Sequence, residues 1–156
     1  MKKVLIAGVT ALTLVFLGAC GNTANNDKNK TTKTEQTAKQ EFKTKTVNNI
    51  DMKIGEIKTT ESTKKDKNMV SIAMSFLNND NAPVGVGAGD FKIKSGDKTY
   101  EVFPQGNNFG DEFKPNEKLE GKAYFELPTS VKKGTLVYAP MDKEQASWSI
   151  TIPEAK

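Results

Sequence analysis

The chain has 156 residues, with 23 lysines, 19 carboxylates, one cysteine, and neither histidine nor arginine. Without histidine the usual Ser-His-Asp and Cys-His arrangements cannot be built, and zinc sites made from His and Cys are excluded with them. The formal charge of +4 is unevenly placed. Two lysines open the chain, six face three carboxylates over residues 21–46, and fifteen face sixteen from Val47 onward. The basic excess therefore lies outside the globular part, and no nucleic-acid partner is expected.

The chain opens on Met1-Lys2-Lys3 and continues with "VLIAGVTALTLVF", an uncharged run from Val4 to Phe16. A basic start, an apolar stretch and then small residues form the tripartite layout of a secretory signal. The run is short of the ~20 residues that a spanning helix usually needs. The next four residues are more specific. Leu17-Gly18-Ala19-Cys20 resembles the lipobox of bacterial lipoproteins, where a leucine and two small residues precede an invariant cysteine. The resemblance implies a diacylglycerol on the Cys20 thiol and cleavage between Ala19 and Cys20 by the lipoprotein signal peptidase. It also allows a further N-acyl group, and implies a location on the outer face of a bacterial, Gram-positive cell membrane. Two acyl chains suffice as an anchor, since each buried methylene contributes ~0.8 kcal/mol. Residues 1–19 are thus read as the signal, and the membrane and the processing enzymes as partners.

Residues 21–46 are rich in Thr, Lys, Asn and Gln, with Phe42 the one large apolar side chain. Such a segment cannot bury enough surface to offset its ordering entropy. Residues 20–46 are therefore read as the lipidated N-terminus and a disordered tether, its ends roughly 25–30 Å apart.

From Val47 the pattern alternates with period two. Val70, Ile72, Met74 and Phe76 share one face of a strand, as do Ala123, Phe125 and Leu127 in a second. Trp148, Ile150 and Ile152 share one face of a third. Ile50, Met52 and Ile54 alternate and then slip at Gly55, as a β-bulge allows. Shorter strands fall on "FKIK", "KTYEVF" and "TLVYA", with Ser95-Gly96-Asp97 as a hairpin turn. About seven short strands with one apolar face each predict two packed antiparallel sheets over residues 47–153, and a tail at 154–156.

The pieces "VSIAMSFLNND", "DFKIKSGDKTYEV", "FKPNEKLEGKAYFELP" and "GTLVYAP" resemble a domain-of-unknown-function family exported by Gram-positive bacteria. That family is related to the mycobacterial immunoprotective extracellular protein. The resemblance implies an immunoglobulin-like sandwich. Asn116 departs from it, standing where the family often has glycine. The family does not fix a function, because fold does not.

Chemistry is thinly represented. Two S-x-x-K spacings, Ser62 to Lys65 and Ser95 to Lys98, lack the S-D-N and K-T-G partners of penicillin-recognising enzymes. Asp80, Asp90, Asp97, Asp111 and Glu112 fall in expected loops. Residues 78–85 have oxygen-bearing side chains but not the EF-hand register. Phe109 and Phe113 read as plugs beneath a long loop. No catalytic residue, metal ligand or cofactor is expected beyond the lipid on Cys20. The reading that emerges is a non-enzymatic surface module, not an enzyme, that binds an extracellular protein, peptide or wall polymer through loops or a sheet edge. The alternative is a secreted carboxylate-dependent enzyme, or an accessory factor, acting on cell-wall glycan.

Overall fold

The computed structural model describes Thr37, Ala38 and residues 40–155. Eleven strands run in chain order: β1 (Thr37–Ala38), β2 (Lys45–Val47), β3 (Ile50–Glu61), β4 (Lys67–Asn78), β5 (Val84–Gly87), β6 (Phe91–Ser95), β7 (Lys98–Glu101), β8 (Gly110–Phe113), β9 (Lys118–Pro128), β10 (Lys133–Tyr138) and β11 (Ala146–Thr151). They form an antiparallel β-sandwich. One sheet has the order β3-β4-β9, with β1 and β2 both on the free side of β3; the other has the order β11-β10-β6-β7. A two-stranded ribbon, β5 with β8, lies apart from both.

The alternation seen in the sequence sets which face is inside. Ile72, Phe76, Phe125 and Leu127 of the first sheet and Phe91, Ile93 and Leu136 of the second are essentially inaccessible to solvent. Phe91 links the layers, its ring centroid 6.0 Å from Phe76 and 5.0 Å from Tyr138. The expected slip in β3 is present: the register against β4 shifts between Ile54 and Ile57. The shift returns Ile57 to the core after an extra residue, as a bulge does.

The architecture is the expected one, with differences in detail. Three strands are long: β3 and β4 have 12 residues each and β9 has 11. The segment containing Gly85 and Gly87, whose composition suggests a loop, pairs with residues 110–113.

The start of the domain needs correcting. The sequence pattern puts it at Val47, but residues 40–46 already belong to it. Asn48 and Asn49 have φ of 48° and 60°. Two successive positive φ values define the type I′ turn that matches strand twist, and asparagine tolerates them. This turn folds Lys45–Val47 back on Ile50–Met52 as a hairpin. Phe42, expected to hang in the tether, packs partly buried against the core instead.

Candidate functional site

Strand edges come first, because an open edge offers a template for an added strand. The outer edge of β9 is covered. The Phe103 N–H donates to Tyr124 O (2.7 Å) and the Phe109 N–H to Lys122 O (3.1 Å). Asn108 Oδ1 accepts from the Tyr124 N–H at 2.9 Å. Phe109 then turns inward to meet Phe76 at 5.2 Å, in space left free by Gly121. A Cβ at Gly121 would overlap the Phe109 Cβ.

The outer edge of β11 is covered by an arm, residues 40–44. Between its two pairings with β3 the chain arches out to the opposite sheet. Gln40 imitates a strand there: its Nε2 donates to Thr151 O (3.2 Å) and its Oε1 accepts from the Thr151 N–H (3.1 Å). Trp148 Nε1 donates to Lys43 O at 3.1 Å, and the Lys45 ammonium lies 5.5 Å from the centre of the indole. The outer edges of β9 and β11 are therefore occupied. Two further edges are short: β7 carries Lys98 and Glu101, and β2 has three residues.

The loops divide between two ends of the sandwich. At one end lie the Asn48–Asn49 turn and residues 79–83, 88–90, 111–117 and 139–145. Their positions are fixed by polar contacts. Asn78 is wholly buried; its Nδ2 donates to Ala82 O and Phe113 O, and its Oδ1 accepts from the Asp80 N–H. Asn116, the departure from the family pattern, sits at φ 62° after Pro115, with the Glu117 N–H donating to Lys114 O. Proline followed by a positive φ is the type II signature, and asparagine serves where glycine is common.

Residues 139–145 carry the most unusual local structure. Met141 and Asp142 both lie in the left-handed region, at φ 52° and 62°. Met141 is 94% exposed, the sole exposed large hydrophobic among the described residues. The loop is tied at several points. The Ala139 N–H donates to Asp90 O and the Gln145 N–H to Tyr138 O. Asn48 Nδ2 donates to Gln145 Oε1 at 2.8 Å. Lys92 Nζ donates to Asp142 Oδ1 and also pairs with Glu101; Lys94 pairs with Glu144. The Lys92 hydrogen bond holds the Asp142 carboxyl below its ordinary 3.8, and the same bond raises Lys92 above 10.5. Beneath these pairs Val137, on the outer face of β10, is fully buried. The lysine stem beside it supplies apolar cover while its head stays in water.

The residues singled out in the sequence are dispersed. Ser62 Oγ donates to Glu126 and Ser95 Oγ to Lys133 O, so neither hydroxyl faces its lysine. Asp80 accepts from Asn49 Nδ2 and from the Asn81 N–H, Asp90 from the Gly87 N–H, and Asp111 from the Glu112 N–H. Asp97 occupies the β6–β7 turn at the other end of the sandwich. No group of three or more Asp, Glu, His or Cys side chains among the described residues could hold a metal ion. Phe113 is buried and Phe109 packs partly buried against the core, as plugs. Leu17, Gly18, Ala19 and Cys20 lie outside the described residues. Among those described, no helix is long and apolar enough to cross a membrane, which says nothing of strands.

Residues 25–147 match the family described as domain of unknown function DUF4352. The chain belongs to that family. Several solved structures share the DUF4352 fold seen here. A Bacillus subtilis protein, ycdA, described as a candidate lipoprotein, superposes with a TM-score of 0.58 at 20% identity over 69% of this chain. This chain spans only 38% of the length of ycdA. A functionally unknown Listeria monocytogenes protein gives 0.56 at 12% identity, over 78% of this chain and 87% of its own. The secreted Mycobacterium tuberculosis protein MPT63 gives 0.51 at 16% identity, over 75% and 92%. At these identities the likeness is one of fold. Curated protein sequences returned no match. Neither the DUF4352 description nor these neighbours carries an assigned catalytic activity.

Proposed function

We propose that this chain is a lipoprotein of the outer membrane face, anchored through Cys20, whose sandwich binds an extracellular protein or peptide without chemistry. The observation that carries the binding reading is the 139–145 loop. Two consecutive non-glycine residues in the left-handed region cost free energy, and such strain gathers at recognition sites. Here it holds up one almost fully exposed methionine, an adaptable apolar contact. Asp142 and Glu144 flank it, each paired with a lysine, so the partner would offer an apolar pocket with a polar rim. The anchoring reading rests on the Leu17–Cys20 motif and accords with the description of ycdA as a candidate lipoprotein.

A photoreactive side chain in place of Met141, activated in intact cells, should join the domain to one defined partner. The same group in place of Ser130, at the opposite end, should not. Competition by soluble domain, lost on Met141→Asp, would tie the adduct to this loop. Surface-exposed protein giving no adduct at position 141 would sink the binding reading. Separately, mass spectrometry of the N-terminal peptide should find Cys20 carrying a diacylglycerol, and Cys20→Ala should release the protein into the medium.

A further inference from the structure

The two ends of the sandwich differ in charge. The 139–145 end, taken over residues 79–83, 88–90, 111–117 and 139–145, has seven carboxylates and two lysines. The other end comprises residues 61–67, 95–98, 128–133 and 152–155. It carries Lys64, Lys65, Lys67, Lys98, Lys132 and Lys133 against four carboxylates. Counting the ion-pair partners Lys92 and Lys94 at the first end and Glu126 at the second, seven carboxylates face four lysines at one and six lysines face five carboxylates at the other, so a domain near neutral in total is a modest charge dipole along its strands.

Two further observations concern the lysine end. An open groove of about 470 Å³ lies there between the 61–67 turn and residues 129, 132, 154 and 155, with Lys64, Lys65, Lys67 and Lys132 in its walls beside Glu61 and Glu154. Lys64 pairs with Glu126 and Lys132 with Glu154, whereas Lys65 is exposed on the rim. The second observation is the direction of the chain. β1 is antiparallel to β3, with Thr37 opposite Lys58 and Ala38 opposite Ile57. The strand thus enters its sheet from the side of the 61–67 turn.

We propose that the lysine end is a docking face for an anionic bilayer, and that docking holds the Met141 end outward. The proposal rests on the anchoring reading for its setting, since an anchor at Cys20 keeps the domain near the surface. The geometry then selects the end. A 12-residue strand is about 40 Å long, several times the ~8 Å screening length at physiological salt. Only the end that meets the bilayer feels its potential. The lysine end is attracted, by up to ~1 kcal/mol for each lysine near the surface, and the acidic end is repelled. Lys65 on the groove rim and Lys133 beside it make no ion pair among the described residues and can meet headgroup phosphates directly, and chain entry at the same end lets the domain lie down without reversing.

The test couples the chain from residue 20 through its Cys20 thiol to a maleimide-bearing lipid in vesicles. Anchoring then does not depend on whether cells acylate Cys20, so failure of the docking idea and failure of the lipidation reading are separate results. Amine-reactive footprinting read by mass spectrometry compares phosphatidylglycerol-containing with pure phosphatidylcholine vesicles. On the anionic vesicles Lys64, Lys65, Lys132 and Lys133 should label about threefold or more slowly, given the expected attraction per lysine. Lys114 and Lys143 should not change, and high salt should erase the difference. Lys64→Glu with Lys65→Glu should restore fast labelling at Lys132 and Lys133, while an unchanged slow rate at Lys92, which is 20% exposed and paired with Asp142, reports an intact fold. Equal protection at both ends, or none, overturns the proposal. So does protection of the same lysines by soluble poly(glycerol phosphate) without protection by vesicles, which would assign the face to a wall polyanion.

Discussion

Met141 holds a conformation that an L side chain seldom adopts, and nothing in "APMDK" demands it. Its φ of 52° is imposed by ties on both sides: the Ala139 and Gln145 backbone bonds and the Lys92–Asp142 contact. Met141→Gly should therefore raise stability by up to about 1 kcal/mol, partly offset by glycine's larger loss of entropy. Soluble domain carrying the same change should compete more weakly for the Met141-position adduct, and chemical denaturation beside that competition would check both. Thr59 behaves differently. It is buried, and its Oγ1 has no hydrogen-bond partner. Thr59→Val keeps the shape and removes the unsatisfied group, so it should stabilise by about 1 kcal/mol. Gly121 sits at the other limit. Alanine there must move Phe109 or the β9 backbone, and a loss of about 1–3 kcal/mol is expected in urea unfolding. The sequence could place Gly121 in a strand but could not name its reason, which is a ring arriving from 12 residues upstream.

Elements divide by how they are specified. Strands with one buried face write that burial into their alternation, and β4, β9 and β11 are legible for this reason. The slip at Gly55 is legible too, because a bulge shifts the alternation by one. The arm is not, since it is held by single contacts. Gln40 closes on Thr151, a tryptophan nitrogen meets a carbonyl, and one phenylalanine reaches the core. None of these has a period, and a composition of Thr and Lys argues for the opposite. One signal does exist: the Asn48-Asn49 pair before an alternating run reads as a hairpin turn. Asn78 is equally hidden, since an asparagine ending a strand looks like any loop residue. Its amide joins three segments, and Asn78→Ala would leave two carbonyls and one N–H without their partner. The expected loss is about 3 kcal/mol, with faster amide exchange over residues 79–83 and 111–117 than elsewhere.

For the molecule as a whole, pH acts through exposed pairs. The carboxyls of Glu126, Asp142 and Glu144 all lie below their ordinary values, each chiefly through a hydrogen bond from a lysine: Lys64, Lys92 and Lys94. A depressed carboxyl stabilises the fold above its unfolded value, and the contribution fades as pH falls through the folded value. Lys92 is raised, so its share persists below 10.5 and fades only as pH rises through its folded value. Acidification below the unfolded values of 3.8 for Asp142 and 4.5 for Glu144 should therefore loosen the 139–145 loop while the core stays folded. Hydrogen exchange at stepped pH, corrected for the intrinsic rate, would show protection falling first in that loop; uniform loss across β4 and β9 would contradict it. The overall class was readable because a two-sheet core needs only alternation. The division into a lysine end and an acidic end was not, because near-balanced charge in sequence becomes a dipole only when strand order sorts the turns.

The arm has a mechanical consequence. Under the proposed function, a pull between the N-terminus and Met141 carries tension along the strands. That load reaches β1 first, where only Thr37 and Ala38 pair with β3, and then Gln40 on Thr151. These contacts should yield before β3 and β4, which share ten paired positions and are loaded in shear. Peeling residues 37–44 would free at most about 28 Å of contour, at up to ~3.5 Å per residue, and lengthen the chain by that less the distance the segment already spans. The domain would thus answer a sudden pull by releasing a short length of leash, with its sandwich intact.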